Sequence, residues 1–211
     1  MADTPDLIQP DRGQAATTIH LVDKDGFAGW AKALSASQRA ALAGQKFEGG
    51  GYQVGIVPDG DGWFAVGGVA DPAKLSSWCL ARLAEVLPAG TYRLAANKDG
   101  GGQPGPAVYG WQTGQYAFTR YKEPESPTGP RVLLTKDVKA IEPALAEARA
   151  VALVRDLVNT PAEDMGPAAL EAEAETLAKP HGAKLEVVRG DALAKDYPMV
   201  HAVGRAAARS H

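Results

Sequence analysis

The period of apolar positions changes several times along this chain, and each change marks an element. Thr17 to Val22 (TTIHLV) is rich in β-formers and ends on the apolar pair Leu21 and Val22, which predicts a first strand. Tyr52 to Val57 (YQVGIV) and Trp63 to Val69 (WFAVGGV) flank Pro58, Asp59, Gly60, Asp61 and Gly62, a turn by composition, and together predict a hairpin. Between Lys74 and Leu87 the period becomes helical, with Leu75, Trp78, Cys79, Leu83, Val86 and Leu87 on one stripe. That helix is expected to end before Pro88 and Gly90. A strand over Thr91 to Ala96, a helix from Ala107 to about Tyr121 and a strand over Arg131 to Thr135 follow. Strands alternating with helices predict an α/β fold. Lys122 to Pro130 (KEPESPTGP) carries three prolines and reads as a loop, with the domain boundary nearer Lys136 to Glu142.

Residues Pro143 to Val158 (PALAEARAVALVRDLV) are strong helix formers, and Pro143 suits a first helical turn, where its absent N–H removes no bond. Leu145, Ala148 and Ala152 form a stripe, but Val151, Leu153, Val154, Leu157 and Val158 then make the helix apolar nearly all round. Such an end calls for burial by other parts of a protein. Pro161 disfavours the α region for Thr160, so the helix should stop near Asn159, whose side chain can bond to backbone groups left free. Gly166 and Pro167 open another helix, with Glu171, Glu173 and Glu175 followed by Lys179, an order that complements the helix dipole. Lys184 to Gly190 (KLEVVRG) predicts a strand with Leu185 and Val187 on one face, then Asp191 as N-cap of a helix over Ala192 to Asp196. Pro198 to Arg205 predicts a short helix ending at a Gly-Arg pair.

Composition narrows the class without naming a function. The 211 residues, 45% hydrophobic and 22% charged, suit one ordinary domain and part of another. Net charge is −3 with no Lys/Arg cluster, which argues against a nucleic-acid or anionic-membrane partner. The N-terminus MADTPDLIQPDRG has acids and prolines where a signal peptide has a basic start and an apolar core, and no apolar run is long enough for a bilayer. The single Cys79 forms no intrachain disulfide. A cytoplasmic protein is the simplest reading.

Several residues invite a chemical role. Gly100 to Gly105 (GGGQPG) matches G-x-G-x-x-G between a strand and a helix, a context in which backbone N–H groups cradle phosphate. Pro104 and Pro106 each remove one such N–H, and the unit is late in its domain, so a plain glycine loop is favoured. Gly49 to Gly51 opens no helix. Cys79 lies on an apolar stripe with no His nearby in sequence, as a buried structural thiol does. His20, His181, His201 and His211 lack metal-ligand spacing, and His201 reads as half-buried. Glu163 and Asp164 read as solvated, or as capping groups for the helix at Pro167. Trp63, Trp78 and Trp111 read as core.

The segment RDLVNTPAEDMGP, from Arg155 to Pro167, together with KLEVVRG and PMVHAVGR, resembles the leucyl aminopeptidase (cytosol aminopeptidase) family. In that family a helix ending in a similar turn joins a variable N-terminal domain to a metal-dependent catalytic domain. Gly110 to Lys122 (GWQTGQYAFTRYK) is similar to the helix closing the N-terminal domain in bacterial members. The resemblance implies residues 1–136 as an N-terminal mixed-sheet α/β domain, and 137–211 as a linking helix and the incomplete start of an α/β/α metallopeptidase domain. It implies a parent enzyme that removes N-terminal residues from peptides with two divalent metal ions, manganese or zinc, and that assembles as a hexamer. The family's metal ligands lie in a Lys-and-Asp segment and an Asn-Thr-Asp-Ala-Glu-Gly-Arg segment, both beyond the pair that here is Gly204 and Arg205.

Neither segment occurs in this sequence, so no catalytic, metal or substrate-binding residue transfers to any position. The 211 residues alone are expected to be inactive and to bind no metal, with the natural polypeptide continuing past His211. About 60 residues are also too few to cover both faces of a catalytic sheet. The alternatives are a non-enzymatic module, either binding a phosphate-bearing ligand at Gly100 to Gly105 or serving assembly alone.

Overall fold

The computed structural model describes residues 7–96, 102–122 and 129–207. They divide into two compact units, Met1–Ala152 and Leu153–His211. The first unit is built on a six-stranded sheet of β1 (Ile8–Pro10), β2 (Thr17–Val22), β3 (Val54–Asp59), β4 (Gly62–Gly68), β5 (Gly90–Leu94) and β6 (Arg131–Thr135), in the order β1-β6-β5-β2-β4-β3. All neighbours are parallel except β3 and β4, so the sheet is mixed. The hairpin runs to the pair Asp59 and Gly62, which leaves a two-residue turn with Gly60 at a φ of 56°. β1 lies within the proline-containing N-terminal stretch, where the sequence reading placed no element; its three residues are too few for a period to show.

Alternation along the strands sends side chains to two cores. On one face Ile19, Ala65, Tyr92 and Leu133 pack with α3 (Ala81–Val86), α4 (Val108–Thr113) and the first half of α5 (Val138–Asn159), through Leu83, Trp111, Ile141 and Leu145. On the other, Val22, Val57 and Val66 pack with Phe47 and with Leu42 of α2 (Ala36–Gly44), against Phe27 and Trp30 of α1 (Lys24–Trp30). Ser35 and Gln38 close a capping box at the start of α2.

Two helices are shorter than their periodicity. Of Lys74 to Leu87 only α3 is α-helical, and residues 71–80 form turns. The carbonyl of Ser77 accepts from Gly110 N at 2.8 Å, and Ala81 N turns back to Trp78 O at 3.1 Å, so the i to i+4 ladder is interrupted by a tertiary bond. Of Ala107 to Tyr121 only Val108–Thr113 is α-helical, entered through a 3-10 turn at Gly105–Ala107. Gly110 is required by close approach: a Cβ there would lie 2.5 Å from Ser77 O.

α5 begins five residues before Pro143, which therefore lies inside the helix rather than at its start. Asp137 Oδ1 accepts from Ala140 N at 3.1 Å, a cap that sets the earlier start. The helix stops at Asn159, as Pro161 requires, and Thr160 donates from both N and Oγ1 to Asp156 O, at 3.0 and 2.7 Å.

The second unit holds the end of α5, then α6 (Pro167–His181), α7 (Gly190–Asp196) and α8 (Pro198–Gly204). Gly182, at a φ of 59°, closes α6 as a left-handed C-cap. Residues 184–189 enter no strand among the described residues, contrary to the sequence reading: no neighbouring strand is there to pair with them, and Leu185, Val187 and Val188 stay exposed. Asp191 sits in the first turn of α7, whose cap position is Arg189, because the helix starts at Gly190.

Candidate functional site

The glycine loop after β5 is described from Gly102 onward; Gly100 and Gly101 lie outside the described residues. Gly102 has a φ of 102°, and its backbone runs so near Ala95 and Ala96 that a Cβ would meet Ala96 Cα at 3.1 Å. Gln103 Oε1 accepts from the Thr135 hydroxyl at 3.0 Å, which ties the loop to the end of β6. Pro106 stands in the first positions of the 3-10 turn, so the segment presents fewer N–H donors than a phosphate cradle needs. The residues described make this loop a packed connection, and the phosphate-binding alternative gains no support.

Sequence periodicity gives no sign of a cavity of about 320 Å³ lined by Ala16, Thr17, Thr18, His20, Asp59, Gly62, Trp63 and Phe64. The residues come from the start of β2 and from the ends of β3 and β4 beside their turn, more than 30 positions apart in sequence, and only the pairing of β2 with β4 brings them together. His20 is the chemically distinct member. Its ring meets Phe64 edge-on at 5.1 Å and Trp30 at 5.6 Å, and burial holds its pKa below the ordinary imidazole value. A neutral imidazole, two hydroxyls and the Asp59 carboxylate suit a small polar molecule or water. They do not make a dinuclear centre.

The remaining candidates resolve into structure. Cys79 is half-buried against the core, with Ser76 N and Oγ each 3.3 Å from its Sγ. Trp111 is fully buried, donates from Nε1 to Arg131 O at 2.9 Å, and meets Tyr92 at 5.8 Å. Trp78 departs from the core reading: it is 47% exposed, packed edge-on against Tyr109, because the interrupted helix turns it outward. Glu163 and Asp164 are exposed, and His201 is half-buried on α8. Among the described residues no group of three or more His, Cys, Asp or Glu side chains is placed to hold a metal ion, and no helix is long and apolar enough to cross a membrane.

The family model for the N-terminal domain of M17 aminopeptidases matches residues 17–134, more than half of the chain, and the model for the catalytic domain of the cytosol aminopeptidase family matches residues 152–211. The chain belongs to the cytosol aminopeptidase family. A probable cytosol aminopeptidase of Rhodococcus opacus (strain B4) is 34% identical over 121 residues, half of this chain and 24% of the relative. The crystal structure of the cytosol aminopeptidase from Coxiella burnetii superposes with a TM-score of 0.81 at 26% identity, covering 98% of this chain and 45% of that one. The bottromycin maturation enzyme BotP in complex with Mn superposes with a TM-score of 0.70 at 26% identity, over 93% of this chain and 44% of that one. The chain thus spans less than half the length of these solved relatives and about a quarter of the curated one.

Proposed function

We propose that the chain supplies the N-terminal domain and the opening of the catalytic domain of a metal-dependent aminopeptidase, with the domain boundary after residue 136. The observation that carries this reading is the consecutive match to both family domains, 17–134 and then 152–211. The second unit supports it physically. Among its described residues only Thr160 is buried, whereas Val154 is 57% and Val158 77% exposed, and Leu170, Leu177, Leu185, Met199 and Val203 are exposed as well. A catalytic domain that closes over these side chains would bury them, as isolated apolar faces require.

The donor set does not fit a dinuclear metal centre, since the described His, Cys, Asp and Glu side chains form no cluster of three. No step of peptide hydrolysis is therefore assigned to a residue of this chain. The remainder of the catalytic domain would supply the ligands for the divalent ions, manganese or zinc, and would act on the N-terminal residues of peptides. A cytoplasmic hexamer is the assembly that the family resemblance favours.

The intact mass of the product in its source cell tests the reading first. A mass well above 22.0 kDa is expected, with release of N-terminal residues from peptides by the longer protein in manganese or zinc. The 211-residue chain alone should release none and show no heat of manganese binding. A natural product of 22.0 kDa, or metal-dependent hydrolysis by this chain alone, would overturn it.

A further inference from the structure

The two edges of the sheet are blocked by the same chemistry. β3 is the edge beside β4, and its registered pairs, with Gly68 N bonded to Gln53 O, turn Gly55 and Val57 toward β4 and Ile56 and Pro58 outward. An outward residue of an edge strand exposes an N–H and a C=O that another chain can pair with. Here both groups of Ile56 are taken by one side chain. Gln45, the C-cap of α2, accepts from Ile56 N at 2.9 Å and donates to Ile56 O at 2.8 Å. That two-way exchange is the one an opposing residue makes in an antiparallel ladder. At Pro58 no N–H exists, and its carbonyl accepts from Gln38 Nε2 at 3.1 Å. Val54, also outward, is half-buried.

At β1 the pattern recurs. Leu133 N donates to Leu7 O and Asp11 N to Thr135 O, so Leu7, Gln9 and Asp11 face β6 while Ile8 and Pro10 face outward. Pro10 has no N–H, its carbonyl accepts from Gln14 Nε2 at 3.0 Å, and Ile8 is buried.

We propose that these glutamines hinder strand addition: Gln45 and Gln38 at β3, and Gln14 at β1, fill the outward backbone groups of Ile56 and the carbonyls of Pro58 and Pro10, Pro58 and Pro10 remove donors, and the remaining outward residues, Val54 and Ile8, are half-buried and buried. The domain then resists assembly by extension of its sheet, so contacts with another subunit use helix faces and loops. This goes beyond the aminopeptidase reading and does not depend on it.

Amide exchange and sedimentation on the 211-residue chain test it. The Ile56 amide should exchange at least tenfold more slowly than an unbonded edge amide, although it faces away from β4; unprotected exchange there would overturn the proposal. Gln45→Ala should self-associate with a dissociation constant at least tenfold below the parent's, and adding Ile56→Lys should reverse this, because a charged edge residue opposes pairing. A folded Gln45→Ala chain that sediments like the parent at every concentration would also overturn it. If that variant fails to fold, Ile56 exchange in the parent decides.

Discussion

At the scale of single residues, two positions decide how the first unit responds to change. Trp111 is fully buried, packs on Tyr92 and donates to Arg131 O, so truncation removes a large apolar group and one polar partner together. Trp111→Ala should cost about 3–5 kcal/mol, read as a shift in urea midpoint. His20 works through protonation. Burial lowers its folded pKa below its unfolded value, so above the ordinary imidazole pKa its contribution to stability is complete. As pH falls through that value toward the folded pKa, the unfolded chain takes up the proton first and the contribution is lost. The thermal midpoint should therefore decline between about pH 7 and pH 5, and His20→Phe, which keeps an aromatic ring beside Phe64 and Trp30, should flatten that decline. An unchanged slope in the variant would show that His20 is not the group responsible.

At the scale of elements, the contact of α4 with the turn before α3 is the least forgiving. Gly110→Ala would push a methyl against Ser77 O and disturb the bond that Gly110 N makes there. It should destabilise the unit by about 1–3 kcal/mol, whereas Gly44→Ala, with open space around its Cβ, should not. The same contact explains which elements were legible in the sequence. β6 emerges as read, and the β3–β4 hairpin emerges where it was expected but with Pro58, Asp59 and Gly62 in the strands and only two residues in the turn, because the ladder extends past the turn-forming composition. The end of α5 was legible from Pro161 alone. The stripe over Lys74 to Leu87 marked burial correctly for Leu83 and Leu87, but the backbone carrying it was redirected by a bond from α4, which no local pattern records. The start of α5 was missed because Asp137 as a cap outranked Pro143 as a first-turn residue. The cavity at His20 was illegible for a related reason: its walls are made by pairing β2 with a distant hairpin.

At the scale of the whole molecule, the second unit leaves apolar side chains exposed, which separates the behaviour of this chain from that of a longer polypeptide. Val158→Lys should change the stability of the 211-residue chain by no more than about 0.5 kcal/mol, as surface substitutions do. In the longer protein proposed above, the same change should lower the unfolding midpoint and the soluble yield. Equal tolerance in both would mean that the end of α5 stays uncovered in the proposed longer protein. The strand order has a consequence during synthesis. Ile8 pairs with Leu133, so the first strand of the sheet to be translated has its partner among the last. At about 5–20 residues per second, a ribosome needs on the order of ten seconds between making the two. Throughout that interval the apolar pair Leu7 and Ile8 has no edge to join, and the nascent chain must keep it out of other contacts until Thr135 has cleared the exit tunnel.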